Sequence, residues 1–153
     1  MDEYARVLDR VETELAALSR MDDHGRDVWA DSLGDLLESG CLNQADAERL
    51  VSRLVALAVT EATYEVRESA LHAVSNAGVR YAIPVQVLEP LASRIDAFEP
   101  RLLEYVLFCL AATHDEESRA HVEPFLDHPA AGVREEAAQA IAELDAVRPG
   151  LRD

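Results

Sequence analysis

The sequence predicts an all-α fold, and three observations carry that prediction. The chain is rich in Ala and Leu and holds only 6 Gly in 153 residues, a composition that favours helix. Apolar residues recur at i, i+3, i+4 spacing almost from end to end, with no strand-like alternation of period two. Short helical segments also repeat along the chain, which is how stacked units announce themselves. Hydrophobic residues make up 49 % of the chain but aromatics only 5 %, so the expected core is Leu, Val, Ala and Ile.

Taken in order, Tyr4, Val7, Leu8, Val11, Leu15 and Leu18 form the stripe of a first helix. Asp22, Asp23 and Gly25 mark a break. A second helix is expected from about Asp27 to Ser39, with Val28, Trp29, Leu33, Leu36 and Leu37 inward and Gly40 ending it. Asn43 reads as the N-cap of a third, which runs to about Val59 and buries Leu50, Val51, Leu54, Leu57 and Ala58. A fourth begins at Thr63 or Glu65, turns Val66, Ala70, Leu71, Val74 and Ala77 inward, and stops at Gly78. Pro84 opens a fifth, carrying Val87, Leu88, Leu91, Ile95 and Phe98, with Pro90 set to kink or restart it. Pro100 sits in the first turn of a sixth, whose LLEYVLFCLAA is apolar nearly all round and therefore buried on several sides. The seventh is expected over about Glu116–Asp127 and the eighth over about Ala131–Val147, with Pro149-Gly150 closing the fold.

Val66-Arg67-Glu68-Ser69-Ala70-Leu71-His72-Ala73-Val74 matches Val133-Arg134-Glu135-Glu136-Ala137-Ala138-Gln139-Ala140-Ile141 in its Val-Arg-Glu, both Ala positions and the final β-branched residue. Val28 to Leu36 fits the same template more loosely, and Leu103 to Ala111 takes the remaining slot. Four such second helices, each preceded by another amphipathic helix, describe a single domain of four stacked pairs: approximately 1–40, 41–79, 80–113 and 114–148. The segment from Leu126 to Leu144, with its Asp127–Pro129 loop, Val133-Arg134 pair and small Ala positions, strongly resembles a HEAT repeat; 63–78 resembles one less closely. The resemblance implies a short right-handed superhelix whose second helices line a concave face. It implies a protein-binding scaffold and no shared catalytic residues. Arg67, Arg101 and Arg134 then read as repeat architecture, pairing with neighbouring carboxylates and carbonyls.

Charge narrows the function. The chain carries 30 acidic residues against 14 basic ones, all Arg, for a net charge of −16. The excess is even, with 16 acids and 7 Arg in residues 1–76 and 14 acids and 7 Arg in 77–153. Such a surface repels phosphate backbones, so nucleic acid and anionic membrane are poor partners, and a HEAT-like DNA glycosylase lacks the basic cleft it would need. The absence of Lys removes Schiff-base chemistry and any P-loop. The opening MDEYARVLDR has acids where a secretory signal needs a basic segment and an apolar core. No run approaches the roughly 20 apolar residues of a spanning helix, so the expected location is the cytoplasm.

Cys41 and Cys109 form neither a disulfide framework nor a CxxC pair, and Cys109 reads as a buried small hydrophobe. His114, His121 and His128 recur every seven residues, about 10.5 Å along a helix, too far apart to share one metal. HExxH and GxSxG are absent, so no metal, cofactor or catalytic group is expected. What remains is a stripe on the second helix: Asp27, Asp31, Asp35 and Glu38, spaced four, four and three, with Asp23 upstream. Like charges at i,i+4 repel by a few tenths of a kcal/mol per pair, and they would steer a basic partner electrostatically. Trp29 and Tyr105, with Phe108, are the candidate aromatic anchors of such an interface. The leading expectation is therefore a non-catalytic module that binds a basic protein. By analogy of size and charge it suits an immunity- or antitoxin-type inhibitor of a cationic, nuclease-like toxin. Two other readings stand beside it: an adaptor binding through apolar faces, and a ligand carrier or lyase-like enzyme with its site in the groove. Self-association is compatible with each.

Overall fold

Most helices start and stop where short-range chemistry requires. In the computed structural model, which describes residues 2–146, eight α-helices are joined by turns and 3-10 segments. Helix α1 spans Glu3–Ala17, α2 Asp23–Ser39, α3 Gln44–Thr60 and α4 Tyr64–Arg80. Helix α5 is the short Glu89–Ser93, α6 is Pro100–Ala112, α7 is Arg119–Val122 and α8 is Ala131–Ala146. Asp2 accepts the amide of Ala5 at 2.7 Å and Asn43 that of Asp46 at 2.9 Å, each satisfying a free N–H of a first turn. Gly40 ends α2 at φ 71°, a left-handed conformation that glycine adopts without strain.

The structure departs from the sequence reading at four elements, each for a local reason. Helix α2 starts four residues earlier than expected, because Asp22 caps it by accepting from the Gly25 amide at 2.7 Å. Gly25 is thus inside the first turn, and the break falls on the 3-10 segment Leu18–Arg20. Gly78 does not stop α4, which runs on to Arg80. A Cβ there would lie 3.2 Å from the Cβ of Ala112, so its role is to let α4 and α6 approach. The expected fifth helix is a 3-10 segment (Val85–Leu88), then α5, then a second 3-10 segment (Ile95–Ala97). Pro90 has no N–H and can sit only in the first turn of a helix, so α5 restarts around it. The expected seventh helix is broken likewise, into Glu116–Ser118, α7 and Glu123–Asp127, with Pro124 opening the last. Val147 and Pro149-Gly150 lie outside the described residues.

Helices α2, α4, α6 and α8 pack side by side in that order as one layer. Helix α3 lies against α4 and α5, and α7 lies against α6 and α8, on the other side. Leu37, Leu50, Leu54, Leu71, Leu107 and Leu110, all essentially inaccessible, belong to the core that joins the layers. Burying a Leu contributes about 1.5–3 kcal/mol, so the interleaved leucines outweigh any single polar contact. Helix α1 is tied to α3 by polar groups: the Tyr4 hydroxyl donates to Asp46 at 2.5 Å and accepts from the Asn43 amide at 3.0 Å. Glu12 and Arg49 add an exposed ion pair.

Arginines stitch successive units. Arg67 on α4 holds Glu99, at the head of α6, through two bonds of 3.0 and 2.8 Å, while Arg101 returns to Glu68 at 2.8 Å. Arg134 donates to the carbonyls of His128 and Pro129 at 2.8 and 2.9 Å. These are the carboxylate and carbonyl pairings expected of repeat residues. Arg26 likewise bridges the first and second units through Glu61, whereas Arg134 and Arg119, the latter on Glu116 and Asp145, tie the last unit within itself. Forked guanidinium–carboxylate bonds fix orientation as well as distance.

Candidate binding face

Helices α2 and α6 carry the sequence-predicted site residues, in the layer they form with α4 and α8. Helix α2 approaches α4 through Gly34, where a Cβ would stand 3.1 Å from the Ala73 Cβ and 3.2 Å from its Cα. Of the acidic stripe on α2, Asp31, Asp35 and Glu38 are exposed. Asp27 is half-buried and accepts a hydrogen bond from Ser69 of α4, so it belongs partly to the helix junction.

The two aromatic candidates separate. Trp29 is only 4 % exposed and its indole belongs to the core, so it presents almost nothing to a partner. Its neighbour Val28, expected inward, is instead 49 % exposed. Both border a hollow of about 470 Å³ with Glu14, Met21 and His24, on the α1 side of α2. Tyr105 is half-buried on α6, its ring centroid 6.0 Å from that of His72 on α4. With Phe108, Ser75, Arg101, Glu104 and Glu136 it lines a hollow of about 330 Å³. Phe108 also borders a second hollow of about 330 Å³, whose lining includes Gly78, Val79, Ala112, Gln139 and Glu143. Phe108 at 38 % and Val79 at 69 % exposure are the apolar side chains this face leaves to solvent.

Sequence reasoning missed Val79, Glu104 and Glu136. Val79 was hidden by taking Gly78 as a helix stop. Glu136 was within reach, because it occupies in the last repeat the place that Ser69 holds in the second. Its carboxyl is pushed above the ordinary range by burial and then by the charge of Glu104. On the same layer, the Arg67 guanidinium holds the Glu99 carboxyl below that range. Burial pushes the Cys109 thiol up to about 12, with Glu136 adding to the effect.

The histidines have separate duties. His114 follows α6 at φ 56° and its Nε2 lies 2.8 Å from Glu143. His128 Nδ1 accepts the Ala130 amide at 3.0 Å in the loop before α8. Among the described residues no group of three or more His, Cys, Asp or Glu side chains is arranged to hold a metal, and no helix is long and apolar enough to cross a membrane.

No protein-family model matches the chain, and no curated protein matches it. Solved structures do. An engineered protein from a structural-genomics programme aligns with a TM-score of 0.64 at 18 % identity, covering 90 % of this chain and 63 % of its own. A designed armadillo repeat protein in complex with the peptide (KR)4 aligns with a TM-score of 0.64 at 16 % identity, covering 86 % and 62 %. The chain spans less than two thirds of either structure. Helices stacked pair on pair, arginine stitches between units and these neighbours together establish a HEAT/armadillo-like helical-repeat fold, an all-α solenoid.

Proposed function

We propose that the chain is a non-catalytic protein-binding module that docks a basic partner on the open face of its second helices. The observation that carries this reading is the unpaired acid on that face. Among the described residues Asp31, Asp35 and Glu38 have no cationic partner, whereas most of the arginines are tied to carboxylates or carbonyls elsewhere. Like charges left at i,i+4 spacing weaken α2 slightly, a cost that a cationic partner would reverse. The designed armadillo repeat neighbour, solved with the basic peptide (KR)4, supports a peptide or protein ligand for this architecture. The finer reading is an inhibitor of the immunity or antitoxin type, whose carboxylates occupy the phosphate-binding surface of a cationic toxin in the cytoplasm. The supports for that finer reading are size and charge.

Affinity capture with the intact chain at low and high salt tests the reading. A captured protein of high pI, released by salt and lost on the triple reversal D31K/D35K/E38K, is the expected result. A partner retained at high salt and by the reversed variant would instead favour the adaptor reading, for which exposed Val79 and Phe108 speak.

A further inference from the structure

We propose that the hollow between α4, α6 and α8 is an anchor pocket for a single arginine side chain of the partner. This rests on the reading of the chain as a module for a basic partner, and gives that reading one anchoring point distinct from the α2 stripe. The hollow of about 330 Å³ has room for a guanidinium, and its walls offer the two things that group prefers. One wall is aromatic, from half-buried Tyr105 and partly exposed Phe108. The other holds two carboxylates, Glu104 and Glu136.

Charge complementarity selects the occupant. Arg101, the cation within the hollow, is already engaged with Glu68 at 2.8 Å. Among the described residues Glu104 and Glu136 have neither a hydrogen-bond nor an ion-pair partner, although both are half-buried. Burial and the nearby charge of Glu104 raise the Glu136 carboxyl, and the hollow's cation, Arg101, is turned to Glu68 rather than to this pair. Gly132 keeps the arrangement open: a Cβ there would stand 2.9 Å from Glu104 Oε2, so glycine lets that carboxylate lie against α8. The neighbouring hollow, lined by Val79, Phe108, Ala111, Ala112 and Ala140 with Glu136, Gln139 and Glu143 among its polar groups, could take the apolar part of a residue next to the arginine. Arginine fits better than lysine, because its planar and weakly hydrated fork can stack on a ring and bridge carboxylates at once.

The test titrates the intact chain with a short peptide of alternating alanine and arginine at low salt. Counterparts carry lysine or the uncharged citrulline, and calorimetry and amide NMR provide the readouts. The arginine peptide should shift resonances around Phe108 on α6 and Glu136 on α8, bind several-fold tighter than the lysine peptide, and lose binding with citrulline. Glu104→Gln, Glu136→Gln and Phe108→Ala should each weaken it by about three- to tenfold. Gly132→Ala should weaken it too while holding or raising the melting temperature, which separates displacement of Glu104 from loss of fold. Equal affinity for lysine and arginine peptides would overturn the guanidinium assignment. Wild-type affinity in E104Q and E136Q, with binding lost on reversal of Asp31, Asp35 and Glu38, would overturn the pocket and leave the basic-partner reading standing. Failure of any arginine peptide to bind at low salt would overturn both.

Discussion

Cys41 and Cys109 show how far a single residue's environment decides its chemistry. Cys41 is exposed just after α2, while Cys109 is 2 % exposed within α6 and its thiol is pushed up to about 12. Attack needs a thiolate that a reagent can reach, and Cys109 offers neither. A disulfide reagent should therefore modify one thiol of the native chain promptly and the second only in denaturant. Two thiols reacting at similar rates without denaturant would contradict the burial of α6. Periodicity made Cys109 legible, because it falls inside a run apolar nearly all round. Trp29 and Val28 were harder, since adjacent apolar residues on a helix point 100° apart and spacing alone does not say which one meets the core. The larger indole took the buried place and the smaller valine was left to solvent.

Elements were legible where one residue type has one meaning. Asn43 caps α3 and Gly40 ends α2 as read, because an Asx cap and a left-handed glycine each answer a specific need of a helix end. Gly78 was misread because glycine has two meanings, a stop or a close approach, and the second depends on a neighbour distant in sequence, whereas Gly25 was misread because Asp22, three residues before it, already caps α2. The segments around Pro90 and Pro124 read as helices because a 3-10 segment and a short α-helix share nearly the same apolar spacing. Gly34 permits a direct check of the close-approach meaning. Gly34→Val would drive methyl groups into the Ala73 backbone, only 3.2 Å from where a Cβ would already stand. Overpacking of this kind costs about 1–3 kcal/mol, so the denaturant midpoint should fall although valine is the better helix former. An unchanged or raised midpoint would mean that α2 and α4 are not so closely packed.

At the scale of the molecule, the repeats are a machine for presenting one face. Buried leucines join the helices, and Arg26, Arg67 and Arg101 reach across to neighbouring elements, which leaves the open side of α2, α4, α6 and α8 free to carry charge. The repeat pattern was legible because Val-Arg-Glu recurs. The hollow beside Phe108 was not, because it is made by three helices whose side chains are far apart in sequence. The net charge of −16 is spread along the chain, and the proposal assigns a docking role only to its part at Asp31, Asp35 and Glu38. Screening weakens interactions between exposed charges beyond about 10 Å at 0.1 M salt and spares apolar contacts, so salt tells the two kinds of interface apart. The most direct measurement is the dissociation constant of a captured partner across rising salt, for the wild-type chain and for D31K/D35K/E38K. Docking through the acidic face predicts affinity falling at least about tenfold over a physiological range of salt, with the variant weak throughout. Affinity independent of salt and unchanged in the variant would contradict it.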